Sequence, residues 1–140
     1  MNIGHIENGI VLDHITAGNG MNIYNVLKLG ELDCTVALIK NANSPKMGKK
    51  DIIKISTLLD LDLDILGYLD PGVTVCIIRD GEVAERRTLS LPQRVVGVIQ
   101  CKNPRCITSV EREIVHEFKL TDPVKGVYRC IYCEQAAQRR

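Results

Sequence analysis

Two close pairs of cysteines in the last third of the chain, Cys101-x4-Cys106 and Cys130-x2-Cys133, constrain its folding more than any other feature. A tetrahedral site of soft ligands wants four thiolates brought together from two short turns. Each pair offers two sulfurs from one turn, and Pro104 bends the first. The pattern reads as one structural zinc ion per chain. Its competitors are two disulfides, or four unrelated core cysteines. The residues from Met1 to Asn8 show neither a basic flank nor an apolar leader. No run approaches the ~20 apolar residues that span a membrane. A cytoplasmic location is therefore expected, where thiols stay reduced and clustered cysteines more often mean metal than disulfide. Cys34 and Cys76 each stand alone in an apolar run and read as small core residues.

Four cysteines close the shell of a zinc ion and leave no position for a reacting water, so the site is structural rather than catalytic. Leu91-Pro92 punctuates the chain just upstream, and a domain boundary is expected there, giving units 1–92 and 93–140. The second is too short for a hydrophobic core of normal size, so metal binding would supply its folding energy. The first alternates β-rich and helical stretches. Strands are expected over 9–15, 34–39, 51–55, 73–78 and 83–89, with helical stretches from Met21 to Gly30 and from about Ser56 to Tyr68, and a polar loop over 41–50. That order implies an α+β fold: a mainly antiparallel sheet with two helices on one face, followed by a small zinc-bound β domain. Trp is absent and there is one Phe, so the core must rest on Ile, Leu and Val.

Enzyme signatures are missing. There is no glycine-rich phosphate loop. His5, His14 and His116 are scattered, and no nucleophile-base spacing can be argued. The formal net charge of +1 gives no general field for polyanions. A ligand reading rests on a few residues. On a period of two, Lys50, Ile52 and Lys54 share one strand face while Ile53 and Ile55 point to the other. Lys50 and Lys54 are placed to track a polyphosphate, Arg86 and Arg87 add a second basic pair, and Asp13 and His14 at a strand end can bond a base or sugar. Taken alone, edge lysines are ordinarily solvated and guard against aggregation, and an Asp-His pair is ordinarily a turn.

Jointly, these residues resemble a known family. The residues 9–15 (GIVLDHI), 47–55 (MGKKDIIKI), Leu91-Pro92, Cys101-x4-Cys106-Ile107 and Tyr128-Arg129-Cys130-x2-Cys133-Glu134 are similar, in order and over nearly the whole chain, to the regulatory chains of aspartate carbamoyltransferase. The resemblance implies a non-catalytic regulatory subunit for pyrimidine biosynthesis. Regulatory homodimers would bridge trimers of catalytic chains, and CTP, UTP or ATP would bind the N-terminal domain and shift the assembly between activity states. Carried over by residue, Ile6 and Val11 would line the base pocket. Asp13 would meet the base or ribose with His14 nearby, and Lys50, Lys54 and Arg86 would meet the phosphates. Cys101, Cys106, Cys130 and Cys133 would hold Zn2+, and Asn103 and Glu134 would face the catalytic chain.

Three positions depart from the best-known members. Arg86 replaces a lysine, Gly4 stands where an acidic residue helps bind the base, and Cys76 falls at a polar position near the ribose. Two other readings compete. One is a zinc-ribbon nucleic-acid-binding protein, favoured by Lys102, Arg105, Arg129, Arg139 and Arg140 but diluted by Glu111, Glu113, Glu117, Asp122 and Glu134 and by the shortage of stacking aromatics. The other is an enzyme with a reactive thiol at Cys34 or Cys76.

Overall fold

Alternating burial along Gly9–Thr16 defines the first strand, β1: Ile10, Leu12 and Ile15 are buried, while Val11 and Asp13 point to the other side of the sheet. The computed structural model describes residues 6–137, so Gly4, His5, Arg139 and Arg140 lie outside the described residues. The alternation of β1 breaks once. Register against the third strand shifts between Leu12 and Ile15, and His14 takes a left-handed conformation with φ 59°. This β-bulge re-aims the Asp13-His14 pair while returning Ile15 to the core.

The described residues fall into two compact units, Met1–Ser90 and Leu91–Arg140. In the first, β2 (Val36–Ser44), β3 (Gly48–Ile55), β4 (Thr74–Arg79) and β5 (Glu82–Thr88) join β1 in a five-stranded sheet of order β2-β3-β1-β4-β5. Every pairing is antiparallel. β4 and β5 are closed by Asp80 and Gly81 at φ 52° and 79°, the two left-handed residues of a tight hairpin turn. At the start of β1, a Cβ on Gly9 would lie 2.0 Å from the Ile55 carbonyl oxygen, so only glycine lets the strands approach.

Two helices, α1 (Gly20–Val26) and α2 (Leu63–Leu69), contribute Ile23 and Leu66 to one core with Ile10, Leu12, Ile15, Ile53, Ile55, Val73 and Val75. Fully burying each such side chain is worth about 1.5–3 kcal/mol. The α+β layer with helices on one sheet face is therefore as expected, and its core is aliphatic. Asp62 caps α2, its carboxylate accepting from the N–H groups of Asp64 and Ile65 at 3.1 Å. Asn19 stands at the cap position of α1, but its side chain makes no cap bond. It donates instead to the Leu69 carbonyl at 3.1 Å.

Several boundaries differ from expectation. Residues 41–50 are not a polar loop: β2 and β3 run on through Ala42–Lys50, Asn43–Lys49 and Ser44–Gly48 pairs. The helical stretch from Met21 ends at Val26, because Lys28 turns left-handed at φ 56°, and a short 3-10 turn (Leu29–Glu31) follows. The second helix starts at Leu63 rather than near Ser56, where its aspartate cap stands.

Two carboxylates anchor the turn between β1 and α1. Asp51, fully buried, accepts from the backbone N–H groups of Gly18 at 3.1 Å, Gly20 at 3.0 Å and Asn41 at 3.0 Å. Asp70, also buried, accepts from Thr16 N–H at 2.7 Å and Gly72 N–H at 3.3 Å.

The second unit holds β6 (Arg94–Val96), a one-turn helix α3 (Ile107–Val110), β7 (Glu117–Asp122) and β8 (Val127–Cys130), with the strands in a three-stranded antiparallel sheet of order β6-β7-β8. Its inner face buries Val95, Phe118, Leu120 and Tyr128 beside the cysteines. The Tyr128 hydroxyl donates to the Pro92 carbonyl at 2.6 Å. Among the described residues no helix is long and apolar enough to cross a membrane.

Candidate functional site

In the second unit the local fold explains the cysteine spacing. Cys101 precedes a turn in which the Asn103 carbonyl accepts from Cys106 N–H at 3.0 Å and from the Ser109 hydroxyl at 2.7 Å. Cys106 then enters α3. Cys130 ends β8, and its carbonyl accepts from Glu134 N–H at 2.8 Å, which curls Cys133 back toward the sheet. Glu134 is left-handed at φ 66°.

These two turns bring the four Sγ atoms within 4.8 Å of one another. Cys101 and Cys133 are 3.6 Å apart, and Cys106 and Cys130 3.7 Å. A disulfide would be about 2.05 Å. A metal–sulfur bond of about 2.3 Å in a regular tetrahedron sets sulfur–sulfur edges of roughly 3.8 Å. The quartet therefore fits a tetrahedral metal and is not a pair of disulfides. Thr108 Oγ1 donates to Cys106 Sγ at 3.1 Å, and His116 Nδ1 accepts from Cys101 N–H at 2.9 Å. Burial pushes the Cys101 thiol up to about 12, with the neighbouring thiols adding to the rise. Burial opposes ionisation of Cys106 as well, but the Thr108 hydroxyl and N–H and the adjacent thiols overcome it and bring that thiol down to about 7. Metal binding displaces all of these protons, so affinity rises with pH.

Asn103 and Glu134 lie on the two knuckles. Asn103 is half-buried, and its Oδ1 accepts from Arg105 N–H at 3.0 Å. The Glu134 carbonyl accepts from Arg129 at 3.0 Å, and the side chain is exposed.

In the first unit, the sheet face away from the helices gathers most of the other candidates. Pairings of Val11 with Lys54 and Cys76, and of Cys76 with Arg86, set one row across β3, β1, β4 and β5. Ile6, Cys76 and Ile78 are buried there, with Val11 packed against them. Beside this apolar patch Lys50 Nζ lies 3.0 Å from Asp13 Oδ1. Asp13 Oδ1 also accepts from His14 N–H at 2.7 Å, and His14 Nδ1 is 3.2 Å from Thr74 Oγ1. Arg87 is on the opposite face, bonded to Glu85 at 2.6 Å. Cys34 packs against the main core as expected. Cys76 is buried but belongs to the patch on the open face, not to that core. Burial raises its thiol, which Arg86 only partly offsets, so it is not an activated nucleophile.

Burial alone would raise the Asp13 carboxyl, but the Lys50 hydrogen bond, the His14 N–H and both nearby charges hold it below its ordinary 3.8. The sign follows from the lowered folded value: the pair's stabilisation is present above the unfolded carboxylate range and is lost as pH falls through the depressed value. A carbon-detected titration of Asp13 should show a midpoint below 3.8. Lys50→Ala should raise it.

Sequence comparison decides the family. The allosteric-domain model of the aspartate carbamoyltransferase regulatory chain matches residues 1–90, and the metal-binding-domain model of the same chain matches 93–140. This chain belongs to the family of aspartate carbamoyltransferase regulatory chains. Among its relatives, the regulatory chain of Clostridium acetobutylicum is 54% identical, covering 96% of this chain and 92% of its own. That of Clostridium botulinum is 50% identical over the same shares. That of Bifidobacterium longum is 41% identical over 99% of both. All are named as aspartate carbamoyltransferase regulatory chains, and the cysteine quartet lies within the metal-binding match.

Sequence reasoning missed Asp51 and the bulge at Asp13-His14. An isolated aspartate before an apolar run carries no sign of burial, and a bulge leaves no mark on composition.

Proposed function

We propose that this chain binds nucleoside triphosphates on the open face of its N-terminal sheet and thereby adjusts the activity of aspartate carbamoyltransferase catalytic chains in the cytoplasm. The observation that carries the reading is the row of Lys54, Val11, Cys76 and Arg86 across four strands, with the Lys50–Asp13 pair beside it. Ile6 and Val11 offer an apolar surface for a base. Asp13 accepts from its amino or ribose groups, with His14 adjacent. Lys50, Lys54 and Arg86 supply charge-assisted donors to the phosphates. A phosphate would share Lys50 with Asp13. Arg86 supplies a planar fork in place of an ammonium.

The metal is zinc, held by Cys101, Cys106, Cys130 and Cys133: an all-thiolate tetrahedral set suits it. It fixes Asn103 and Glu134 on the surface that meets the catalytic chain, and regulatory chains pair as homodimers. An effector shifts the assembly only by its differential affinity for two states.

Lys54→Ala should weaken CTP and ATP binding by about 1–3 kcal/mol, the scale of a hydrogen bond to a charged group. Calorimetry checks it, and unchanged affinity for both nucleotides would remove the site from this face. Aspartate saturation curves of the reconstituted enzyme, with and without each nucleotide, test the regulation itself.

A further inference from the structure

On the outer face of the C-terminal sheet, three cations stand in register on three adjacent strands: Arg94 opposite Lys119, and Lys119 opposite Arg129. All three are exposed. They line an open groove of about 740 Å³ with Ile131 and Glu134. Neighbouring strands lie about 4.8 Å apart, and like charges directly opposite one another destabilise a sheet. Two of the three have local relief. Arg94 pairs with Glu117 at 2.5 Å, and Arg129 donates to the Glu134 carbonyl at 3.0 Å. Lys119, at the centre, has no ion-pair partner among the described residues.

We propose that this row is a docking surface for an acidic, carboxylate-bearing patch on the catalytic chain, with Lys119 as its central charge. The inference rests on the reading above that this unit meets the catalytic chain, and it names the chemistry of the contact. Incoming carboxylates neutralise the central lysine and bridge the two guanidinium groups, which favour bidentate oxygens. The next row across the sheet carries Val96 opposite Glu117. The Ile131 N–H bonds to the Glu117 carbonyl at 3.1 Å, which sets Ile131 beside it. Val96 and Ile131 are exposed, at 54% and 37%. Arginine with exposed aliphatic groups is the mixture of a protein–protein contact. A nucleic-acid backbone fits less well. Glu117 and Glu134 border the row, and no aromatic side chain stands in it to stack a base.

The test uses the full chain and the catalytic trimer. Lys119→Glu should weaken assembly by at least about tenfold, with Lys119→Gln intermediate and Lys119→Arg close to unchanged. Metal content should be unaltered and melting should not fall, since the side chain is exposed and its replacement relieves the like-charge row. Zero-length carbodiimide coupling of the wild-type complex should join Lys119 to an Asp or Glu of the catalytic chain, found by mass spectrometry. Equal assembly by wild type and Lys119→Glu, with no such cross-link, overturns the docking surface while leaving the functional reading intact. Failure of the wild-type chain to assemble at all overturns both. Salt-sensitive DNA or RNA binding that Lys119→Glu abolishes, without effect on assembly, assigns the row to a different partner and also overturns it.

Discussion

Cys130→Ser is expected to unfold the C-terminal unit and leave the N-terminal sheet standing. Without a metal that unit has, among the described residues, only Val95, Phe118, Leu120 and Tyr128 as large buried side chains beside the cysteines. At about 1.5–3 kcal/mol each, they do not outweigh the entropy of ordering some fifty residues. A structural zinc contributes on the order of 10–16 kcal/mol in small domains. Cys130 is also the last residue of β8 and lies 3.7 Å from Cys106, so its loss separates the sheet from the first knuckle. In amide spectra of the variant, signals from residues 93–137 should collapse to the dispersion of an unfolded chain, while those from the five-stranded sheet persist. Chelation of the wild type should reproduce the effect, with one metal per chain released. C-terminal signals that survive metal removal would show that the quartet is not structural. In the reconstituted enzyme, the same variant should fail to join the catalytic trimers.

Asp51→Ala should cost the N-terminal unit about 3–5 kcal/mol. Its carboxylate satisfies the N–H groups of Gly18, Gly20 and Asn41 from a fully buried position. Truncation leaves three donors short of partners, each worth about 1–3 kcal/mol, offset in part where water enters. Asp51→Asn keeps one accepting oxygen and should cost less. Equilibrium urea unfolding measures both, and equal midpoints for wild type and Asp51→Ala would refute the assignment. The effect should also be felt at the open face, because the clasped turn directly follows the Asp13-His14 bulge. Nucleotide affinity should fall along with stability.

Which parts of this chain could be read in advance follows from what leaves a trace in residue order. The thiol quartet was legible because metal geometry imposes a spacing. The faces of β3 were legible because Ile53 and Ile55 alternate with Lys50 and Lys54, and burial follows that alternation. The β2–β3 hairpin was not, since Asn41, Asn43 and Ser44 look like loop residues although the strand pairing continues through Asn43 and Ser44 to Gly48. Its ladder contains a bulge between Ile39 and Ala42, held where Asn41 N–H meets Asp51. The start of α2 was misplaced because Leu58, Leu59 and Leu61 continue the apolar pattern upstream of the Asp62 cap. The basic row at Arg94, Lys119 and Arg129 was invisible, because strand register alone brings those positions together.

The central position of β1 bears on how the chain is made. β1 precedes both of its neighbours in the chain, so one of its edges stays bare until β3 is complete at residue 55 and the other until β4 is complete at residue 79. Bare edges invite association with other chains, and non-local pairing is slow. The row that crosses four strands then draws on residues 11, 54, 76 and 86, which come together only when β3, β1, β4 and β5 have all paired. A nucleotide that binds this row recognises only chains in which those four strands have paired. Its capture by nascent or truncated products would therefore serve as an assay of that pairing, independent of any effect on the partner's turnover.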